Sequence, residues 1–318
     1  MIEGFGFDSH SFVVEIASND GYLLQWFHQK GIPVLGVDPA ANFAVAAREK
    51  GVRTEVEFFG YSTAVKLSER YGKANLLIGN NVLAHVPDVN DFVKGMKRML
   101  APKGLITMEF PHLQRLIEGN QFDTIYHEHF SYLSFIAVNR IFAYHGITLF
   151  DVEELSTHGG SIRIFGKHAD DDSKEVTNRV DELLQRELDL GFETLEYYSL
   201  FEEKVKETKR KPLDFLIQAK REGKTVAGYG APGKGNTLLT TAVFGLILLI
   251  TRFPAFKTVV LRGYFYCIVA LAGNGVNYSI CRGILRSKNC DVNAGINPGI
   301  LKNYKSGMAT NRKEYIKM

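Results

Sequence analysis

Cysteine is scarce in this chain of 318 residues, and none occurs before position 267. The three cysteines, Cys267, Cys281 and Cys290, form no close pair and have no histidines at the spacing of a zinc site. The first residues also lack the charged and then apolar order of a signal peptide. These absences predict a cytoplasmic protein in a reducing compartment, with no bound metal.

Neither a large excess of one charge nor a long apolar run is present. The 38 basic and 35 acidic residues nearly cancel, so no electrostatic footprint for nucleic acid is visible. The apolar stretches at 242–250 and 259–272 fall short of the roughly 20 uninterrupted residues of a membrane span, and the second contains Arg262. We therefore expect neither a nucleic-acid partner nor a membrane partner, while the oligomeric state stays open.

Short apolar runs alternate with helix-like segments between Phe12 and Ile164. This alternation is typical of an open, mostly parallel sheet covered by helices on both faces, a Rossmann-like α/β fold. Strands are predicted at Phe12–Ile16, Val34–Val37, Asn75–Ile78, Gly104–Glu109, Thr148–Val152 and Ser161–Gly166, and helices at Gly21–Lys30, Ala40–Lys50 and Asn90–Leu100. The last two strands are expected to form an antiparallel hairpin, which is typical of class I methyltransferases and unusual in dehydrogenases.

A polar turn at 170–174 marks the predicted domain boundary. It separates a first domain at residues 1–168 from a second at 174–318. The second begins with a long amphipathic helical region that is expected to break at Pro212. A glycine-rich stretch at 225–236 then restarts a strand, loop and helix pattern, which predicts a smaller and incomplete α/β domain. Residues 240–318 are atypical, because they lack the expected alternation of strands and helices.

The loop after the first strand has the position of a nucleotide-binding loop. It ends a buried strand and opens a helix, where unpaired backbone N–H groups and a glycine let a ligand approach the chain. It holds one glycine together with amide and carboxylate side chains, so it suits a cationic amino-acid ligand better than a pyrophosphate. The predicted cofactor contacts here are Glu15, Ala17, Asn19, Asp20 and Gly21.

The second predicted strand ends in an acid. Asp38 stands 17 positions after Gly21, where a carboxylate can accept both ribose hydroxyls of an adenosine. Pro39 follows it, and Phe58 lies where it can flank the adenine ring. The alternative is that Asp20 and Asp38 only cap helices or form turns.

Asn80, Asn81 and His85 follow the strand predicted at Asn75–Ile78 and so lie at the carboxyl edge of the sheet. The two amides can bond a cofactor carboxylate or a neighbouring loop. Alternatively, they only satisfy a turn, and His85 is an ordinary loop histidine.

Four adjacent side chains that handle protons or hydrogen bonds occur at Tyr126, His127, Glu128 and His129. If carbon accepts the transferred group, it must first lose a proton to a base while the enolate oxygen is stabilised. A histidine suits the base, Glu128 can orient an imidazole or bond a hydroxyl, and Tyr126 and His85 can donate to the oxyanion.

Two other interpretations of residues 126–129 stay open. One is a metal site, which adjacent positions disfavour because their side chains diverge, unlike those of the His-Glu-x-x-His pattern. The other is a polar helix start that is satisfied by hydrogen bonds and has no catalytic role.

Four ordered motifs together resemble one enzyme family. They are Val14–Leu24, Asn80–Asp88, Glu118–His129 and Thr157–Ser161. The chain resembles, from about Phe12 to Leu239, the S-adenosylmethionine-dependent C-methyltransferases that add a branch methyl to nucleotide-linked deoxysugars in antibiotic and surface-glycan pathways.

This resemblance implies roles for particular residues. The family's Tyr-x-Glu-His motif maps onto Tyr126, Glu128 and His129, with the histidine as the favoured base, and His85 inherits a supporting role. The implied substrate is a thymidine-diphosphate keto-deoxysugar that loses a proton beside its ketone. Its enolate then attacks the sulfonium methyl and S-adenosylhomocysteine is released. His158, in the last motif, is expected to contact this substrate.

The glycine-rich stretch in the second domain admits two interpretations. Gly228, Gly230 and Gly233 satisfy a G-x-G-x-x-G spacing, which alone is a weak indication of NAD. By resemblance the stretch instead helps to hold the sugar nucleotide, with contacts from Gly230, Lys234 and Asn236.

The chain departs from the family pattern in two places. The family begins with a cysteine-rich zinc domain, which has no counterpart here, and the family pattern stops after Leu239. We interpret the tail as the product of a shifted reading frame or a divergent end. Methyl transfer to a sugar carbon is therefore the leading hypothesis, and the alternatives are an NAD-dependent oxidoreductase and a catalytically impaired remnant that only binds a sugar nucleotide.

Overall fold

The computed structural model describes residues 2–224, the strand segments 226–229 and 267–270, and residues 234, 237 and 238. The chain divides into two units. The first comprises Met1–Phe122 with His127–Lys204, and the second comprises Asp123–Tyr126 with Val205–Met318.

A seven-stranded sheet forms the centre of the first unit. Its strands are β1 (Val13–Ile16), β2 (Val34–Val37), β3 (Thr54–Glu55), β4 (Ala74–Asn80), β5 (Leu100–Pro111), β6 (Ile147–Leu155) and β7 (Ser161–His168). Their order across the sheet is β3-β2-β1-β4-β5-β7-β6. The first five strands pair in parallel, whereas β7 runs antiparallel to both β5 and β6. This arrangement is the class I methyltransferase fold, which confirms the fold predicted for the first domain.

Helices cover both faces of this sheet. They are α1 (Ile2–Phe5), α2 (Leu24–Gln29), α3 (Ala41–Glu49), α4 (Tyr61–Tyr71), α5 (Val89–Met99), α6 (Leu113–Glu118), α7 (Phe135–Tyr144) and α8 (Asn178–Asp189), with α9 (Leu195–Arg221) continuing into the second unit. Short 3-10 turns occur at Leu83–His85, Phe122–Thr124 and Thr157–Gly159. Neighbouring residues of β1 serve opposite faces, with Val14 in one apolar cluster and Val13 in the other.

The first unit extends beyond the predicted boundary at residues 168–174. Helix α8 packs its Val180 and Leu183 side chains into the core. The ammonium group of Lys167 donates to the carbonyls of Asp171 and Lys174, which ties the polar turn to β7. Polar composition indicated a linker here, but these buried contacts keep the following helix in the same unit.

The predicted helix break at Pro212 is wrong, because α9 runs through this residue. The break in the helical region lies at Gly191, whose φ is 87°. There the Phe192 N–H donates to the Glu187 carbonyl at 3.1 Å and the Gly191 N–H to the Leu188 carbonyl at 2.9 Å. Glycine tolerates the left-handed conformation that ends α8.

In the second unit, the described strands β8 (Val226–Tyr229) and β9 (Cys267–Ala270) pair antiparallel. Lys234 is exposed. Gly230, Gly233, Asn236 and nearly all of the atypical tail lie outside the described residues. Within the described part of the chain, no helix is both long and apolar enough to cross a membrane.

Candidate active site

The site is built at the carboxyl edge of the parallel strands. Ile16 pairs with Val37 of β2 and with Gly79 of β4, and Asn80 pairs with Glu109 of β5. The loops that follow these strands therefore begin side by side. Their meeting point between β1 and β4 is the switch point at which open α/β sheets bind ligands.

The loop after β1 adopts a backbone with repeated left-handed residues. Ala17, Asn19 and Gly21 have φ values of 58°, 49° and 72°. The Ala17 N–H donates to the Val37 carbonyl at 2.8 Å, so the loop stays close to the end of β2. A Cβ on Gly21 would lie 3.2 Å from the Val52 Cβ, which leaves little room for a side chain. Such costly backbone conformations concentrate at ligand sites.

Glu15 is a buried acid at this switch point. It is 1% exposed, and its Oε2 has no hydrogen-bond partner in the structure. Burial, with a smaller contribution from the negative charge of Asp38, raises the pKa of Glu15 to about 8. A buried carboxyl with an open acceptor atom fits a cationic ligand that restores its ionised form.

Asp38 holds the two neighbouring loops together. Its Oδ2 accepts from the Asn19 N–H at 2.9 Å and its Oδ1 from the Ala40 N–H at 2.8 Å. Asp38 therefore does form the turn contacts that the alternative interpretation predicts. Each carboxylate oxygen can still accept a second hydrogen bond, so the ribose assignment remains a prediction.

Asp20 is engaged by a neighbouring lysine. Its Oδ2 lies 2.6 Å from Lys50 Nζ, and the hydrogen bond from this ammonium lowers the pKa of Asp20. Its predicted contact with the cofactor would have to share this ion pair.

Two predicted adenosine contacts lie at the surface. Phe58 is 81% exposed and Pro39 is exposed beside Asp38. Phe59 instead packs against Phe92, with ring centroids 5.4 Å apart. Phe58 is therefore the aromatic ring of this pair that can stack on an adenine.

Asn81 connects the β4 end to two other loops. It has a φ of 54°, and its backbone N–H donates to the Glu109 carbonyl at 2.7 Å. Its side-chain amide nitrogen lies 3.4 Å from Nε2 of His158, 77 positions away. The Asn81 Oδ1 is buried without a partner. The structure thus brings together two predicted site residues, one assigned to the cofactor and one to the substrate.

His85 and His129 meet across two loops. Their ring centroids are 4.7 Å apart, and His85 Nδ1 lies 2.7 Å from the Glu128 carbonyl oxygen. Because a carbonyl only accepts, His85 Nδ1 must carry a hydrogen. In the neutral ring, Nε2 is then an acceptor. Glu128 orients His85 through its backbone, while its own side chain is exposed.

Residues 127–129 form a turn rather than a helix or strand. The turn is held by hydrogen bonds from the N–H groups of Phe130 and Ser131 to the Ala84 carbonyl, at 2.8 and 3.2 Å. Tyr126 belongs to the second unit, so its part in the site stays a prediction. No group of three potential metal ligands occurs among the residues that the structure describes.

Two polar residues at this edge were not assigned from the sequence. Glu109 is 8% exposed and accepts hydrogen bonds from Thr157 Oγ1 at 2.9 Å and Arg163 at 2.8 Å. Burial, followed by the charge of Glu15, raises the pKa of Tyr22. Tyr22 follows Gly21 and Glu109 lies near the end of β5, so both are at the carboxyl edge of the sheet. No sequence spacing indicates that Thr157 and Arg163 are the partners of Glu109.

A surface cavity of about 440 Å³ lies elsewhere, between β6 and α8. Its lining contains Glu153, Glu154 and Glu182 together with Arg179 and Arg186. Arg179 and Arg186 already pair with Asp151 and Glu154, so neither arginine of this cavity is an unpaired cation for an anionic ligand.

The sequence matches two family models and several known proteins. Residues 4–152 match the family model of a methyltransferase domain, and residues 156–249 match the C-methyltransferase C-terminal domain. C-methyltransferase NovU of Streptomyces niveus is 38% identical over 262 residues, which cover 82% of this chain and 62% of NovU. The chain thus spans less than two thirds of that relative.

More distant relatives match only part of the chain. A ubiquinone biosynthesis O-methyltransferase of Azorhizobium caulinodans is 28% identical over 33% of this chain and 45% of its own length. The crystal structure of magnesium protoporphyrin IX methyltransferase from Synechocystis PCC 6803 with bound SAH has 14% identity and a TM-score of 0.42, over 52% of this chain and 77% of that one.

The first family match covers β1 to β5 and most of β6, whereas β7 lies in the second match. By its strand order the sheet has the class I methyltransferase fold, residues 4–152 match the methyltransferase domain model, and residues 156–249 match the model of the C-methyltransferase C-terminal domain.

Proposed function

We propose that this protein transfers a methyl group from S-adenosylmethionine to a carbon of a nucleotide-linked keto-deoxysugar, through an enolate generated by a base. The observation that carries the proposal is the His85–His129 pair, with ring centroids 4.7 Å apart, in which the turn that follows β4 meets the separate loop that carries His129.

The cofactor edge fits a cationic amino acid joined to adenosine. Glu15 supplies a buried acid for the positive charge, and Asp38 and the exposed Phe58 suit the ribose and the adenine. Asn80, at the end of β4, can bond the carboxylate of the amino acid. When bound, S-adenosylmethionine supplies an electrophilic methyl group on a sulfonium.

The histidine pair handles the proton of the acceptor carbon. We assign His129 as the base that removes the proton beside the ketone, with Tyr126 as a donor to the enolate oxygen. Since His85 Nδ1 already donates to the Glu128 carbonyl, His85 donates to that oxygen through Nε2 only when both of its nitrogens are protonated. The exposed side chain of Glu128 is left to bond a sugar hydroxyl.

His158, which lies beside Asn81, is the proposed substrate contact in the first unit, and Gly230, Lys234 and Asn236 stay predictions from the sequence. NovU is a C-methyltransferase by name, which agrees with carbon as the acceptor. A cytoplasmic location fits the scarcity of cysteine and the small-molecule substrate.

Incubation with labelled S-adenosylmethionine and a panel of keto-sugar nucleotides, followed by product mass and label position, tests the proposal. We expect one product to gain a single methyl on carbon. Measurable binding of S-adenosylmethionine without transfer to any of them would instead support the impaired sugar-nucleotide binder. Parallel titrations with NAD and S-adenosylmethionine separate the oxidoreductase alternative.

A further inference from the structure

A histidine–carboxylate pair, His112 and Glu187, is buried in the first unit and has no part in the chemistry above. His112 Nε2 lies 2.7 Å from Glu187 Oε1, and both side chains are fully buried although they are 75 positions apart. Burying two ionisable groups is costly unless their geometry is satisfied in full. The pair is not satisfied in full, because His112 Nδ1 is buried without a hydrogen-bond partner, so stability alone does not account for it.

The Glu187 carboxylate gathers three donors. The N–H groups of Phe135 and Ile136 donate to its two oxygens at 2.8 Å each, and His112 is the third partner. A carboxylate that takes two backbone donors acts as the acceptor, so His112 Nε2 carries the hydrogen of this contact. Glu187, from α8, thus caps the first turn of α7 and orients His112.

The backbone around His112 joins two loops that carry predicted site residues. The His112 N–H donates to the Gly160 carbonyl at 3.0 Å, and Gly160 closes the turn that holds His158. The next N–H, of Leu113, donates to the Leu133 carbonyl at 3.0 Å. Leu133 lies four residues after His129. The turn that holds His158 and the segment that follows His129 are therefore both hydrogen-bonded to the backbone at His112 and Leu113.

The segment that follows His129 is also held at its other end. The N–H groups of Phe130 and Ser131 donate to the Ala84 carbonyl, next to His85. His129 thus precedes a short segment held by the His85 turn on one side and by the His112–Glu187 pair on the other.

We propose that His112 and Glu187 are positioning residues, which fix the His129 segment and the His158 turn relative to one another. This inference rests on the proposed role of His129 as the base. Small displacements of a catalytic group carry large rate penalties, so the pair influences turnover without touching a reactant.

The substitution His112→Leu tests this inference, because it keeps an apolar volume but removes the donor. We expect kcat to fall by about tenfold or more, while the Kd for S-adenosylmethionine changes less than about twofold. His112→Gln, which keeps a side-chain donor, should recover most of kcat. Leu183→Ala, in the core face of α8, is the control for lost stability alone and should keep kcat below its unfolding temperature.

Hydrogen exchange of the Phe130 and Ser131 amides gives a readout that needs no substrate. We expect exchange to be about tenfold faster or more in His112→Leu and near wild type in His112→Gln and Leu183→Ala.

Glu187→Gln applies the same test from the other partner if His112→Leu does not fold. Unchanged exchange and kcat in whichever of His112→Leu and Glu187→Gln folds, or an equal loss in Leu183→Ala, would overturn the inference. Absence of methyl transfer by the wild type would count against the proposed function, whereas the exchange result would still decide the positioning role.

Discussion

At the scale of single residues, the proposed reaction depends on His129 as the base. His129→Ala should lower kcat by about 100-fold or more, the magnitude typical of a lost general base, with nearly unchanged affinity for S-adenosylmethionine. Turnover assays and calorimetric titration measure the two quantities. His127→Ala is the matched control, since His127 is exposed and adjacent. Similar turnover in both variants would remove His129 from this role.

Glu15 predicts a pH dependence of stability. Its pKa is raised from 4.5 to about 8 in the folded chain, so between these values the folded state holds a proton that the unfolded state has lost. The contribution of Glu15 to the free energy of unfolding should therefore be present below pH 4.5 and decline as pH rises towards 8, by at most about 1.4 kcal/mol per pH unit.

Urea unfolding of wild type and Glu15→Gln between pH 5 and pH 8 isolates this contribution. The stability difference between them should shift with pH in favour of Glu15→Gln. A difference that stays constant over the range would show that Glu15 is already ionised in the folded chain.

Sequence patterns place a residue reliably only where the pattern is local. Gly21, Asp38 and Asn80 stand at strand ends, so the strand pattern alone placed them on one edge. The contact between Asn81 and His158 spans 77 positions, and that between His112 and Glu187 spans 75. No local pattern encodes such pairs, because they arise only when separate loops pack together.

At the scale of elements, the loop after β1 gives a prediction that separates an effect on cofactor binding from an effect on stability. Gly21 has a φ of 72° and a crowded Cβ position, whereas Gly31 has a φ of 73° and open space around it. Both Gly21→Ala and Gly31→Ala incur backbone strain of about 1 kcal/mol or more. Only Gly21→Ala should add crowding against Val52 and weaken binding of S-adenosylmethionine.

Unfolding midpoints and cofactor titrations of these two variants measure both effects. If Gly31→Ala weakened cofactor binding as much as Gly21→Ala, the effect would come from general destabilisation and not from the loop.

The helices show where sequence patterns mislead. Proline lacks a backbone donor, so Pro212 indicated a break, yet α9 continues through it. The true break at Gly191 depends on a left-handed residue that ends α8. Strands were predicted more closely because buried runs such as Val34–Val37 are bounded by residues that mark turns, here Pro33 before the run and Asp38 after it.

At the scale of the whole molecule, the boundary between the two family matches, at residues 152–156, does not coincide with the end of the first unit at Lys204. The sheet order identifies the first unit, and the match to the C-methyltransferase C-terminal domain begins at residue 156, within the turn that carries His158. Composition indicated the polar turn at 170–174 as the boundary, but buried contacts of Lys167, Val180 and Glu187 keep α8 with the first unit.

Deuterium incorporation from D₂O into a keto-sugar nucleotide tests the central claim, that a base at His129 forms an enolate beside the cofactor edge, most directly. With S-adenosylhomocysteine bound in place of the methyl donor, the wild type should place one deuterium on the carbon next to the ketone, and His129→Ala should do so about 100-fold more slowly. Methyl transfer to that carbon without any exchange, or equal exchange in both proteins, would contradict the account.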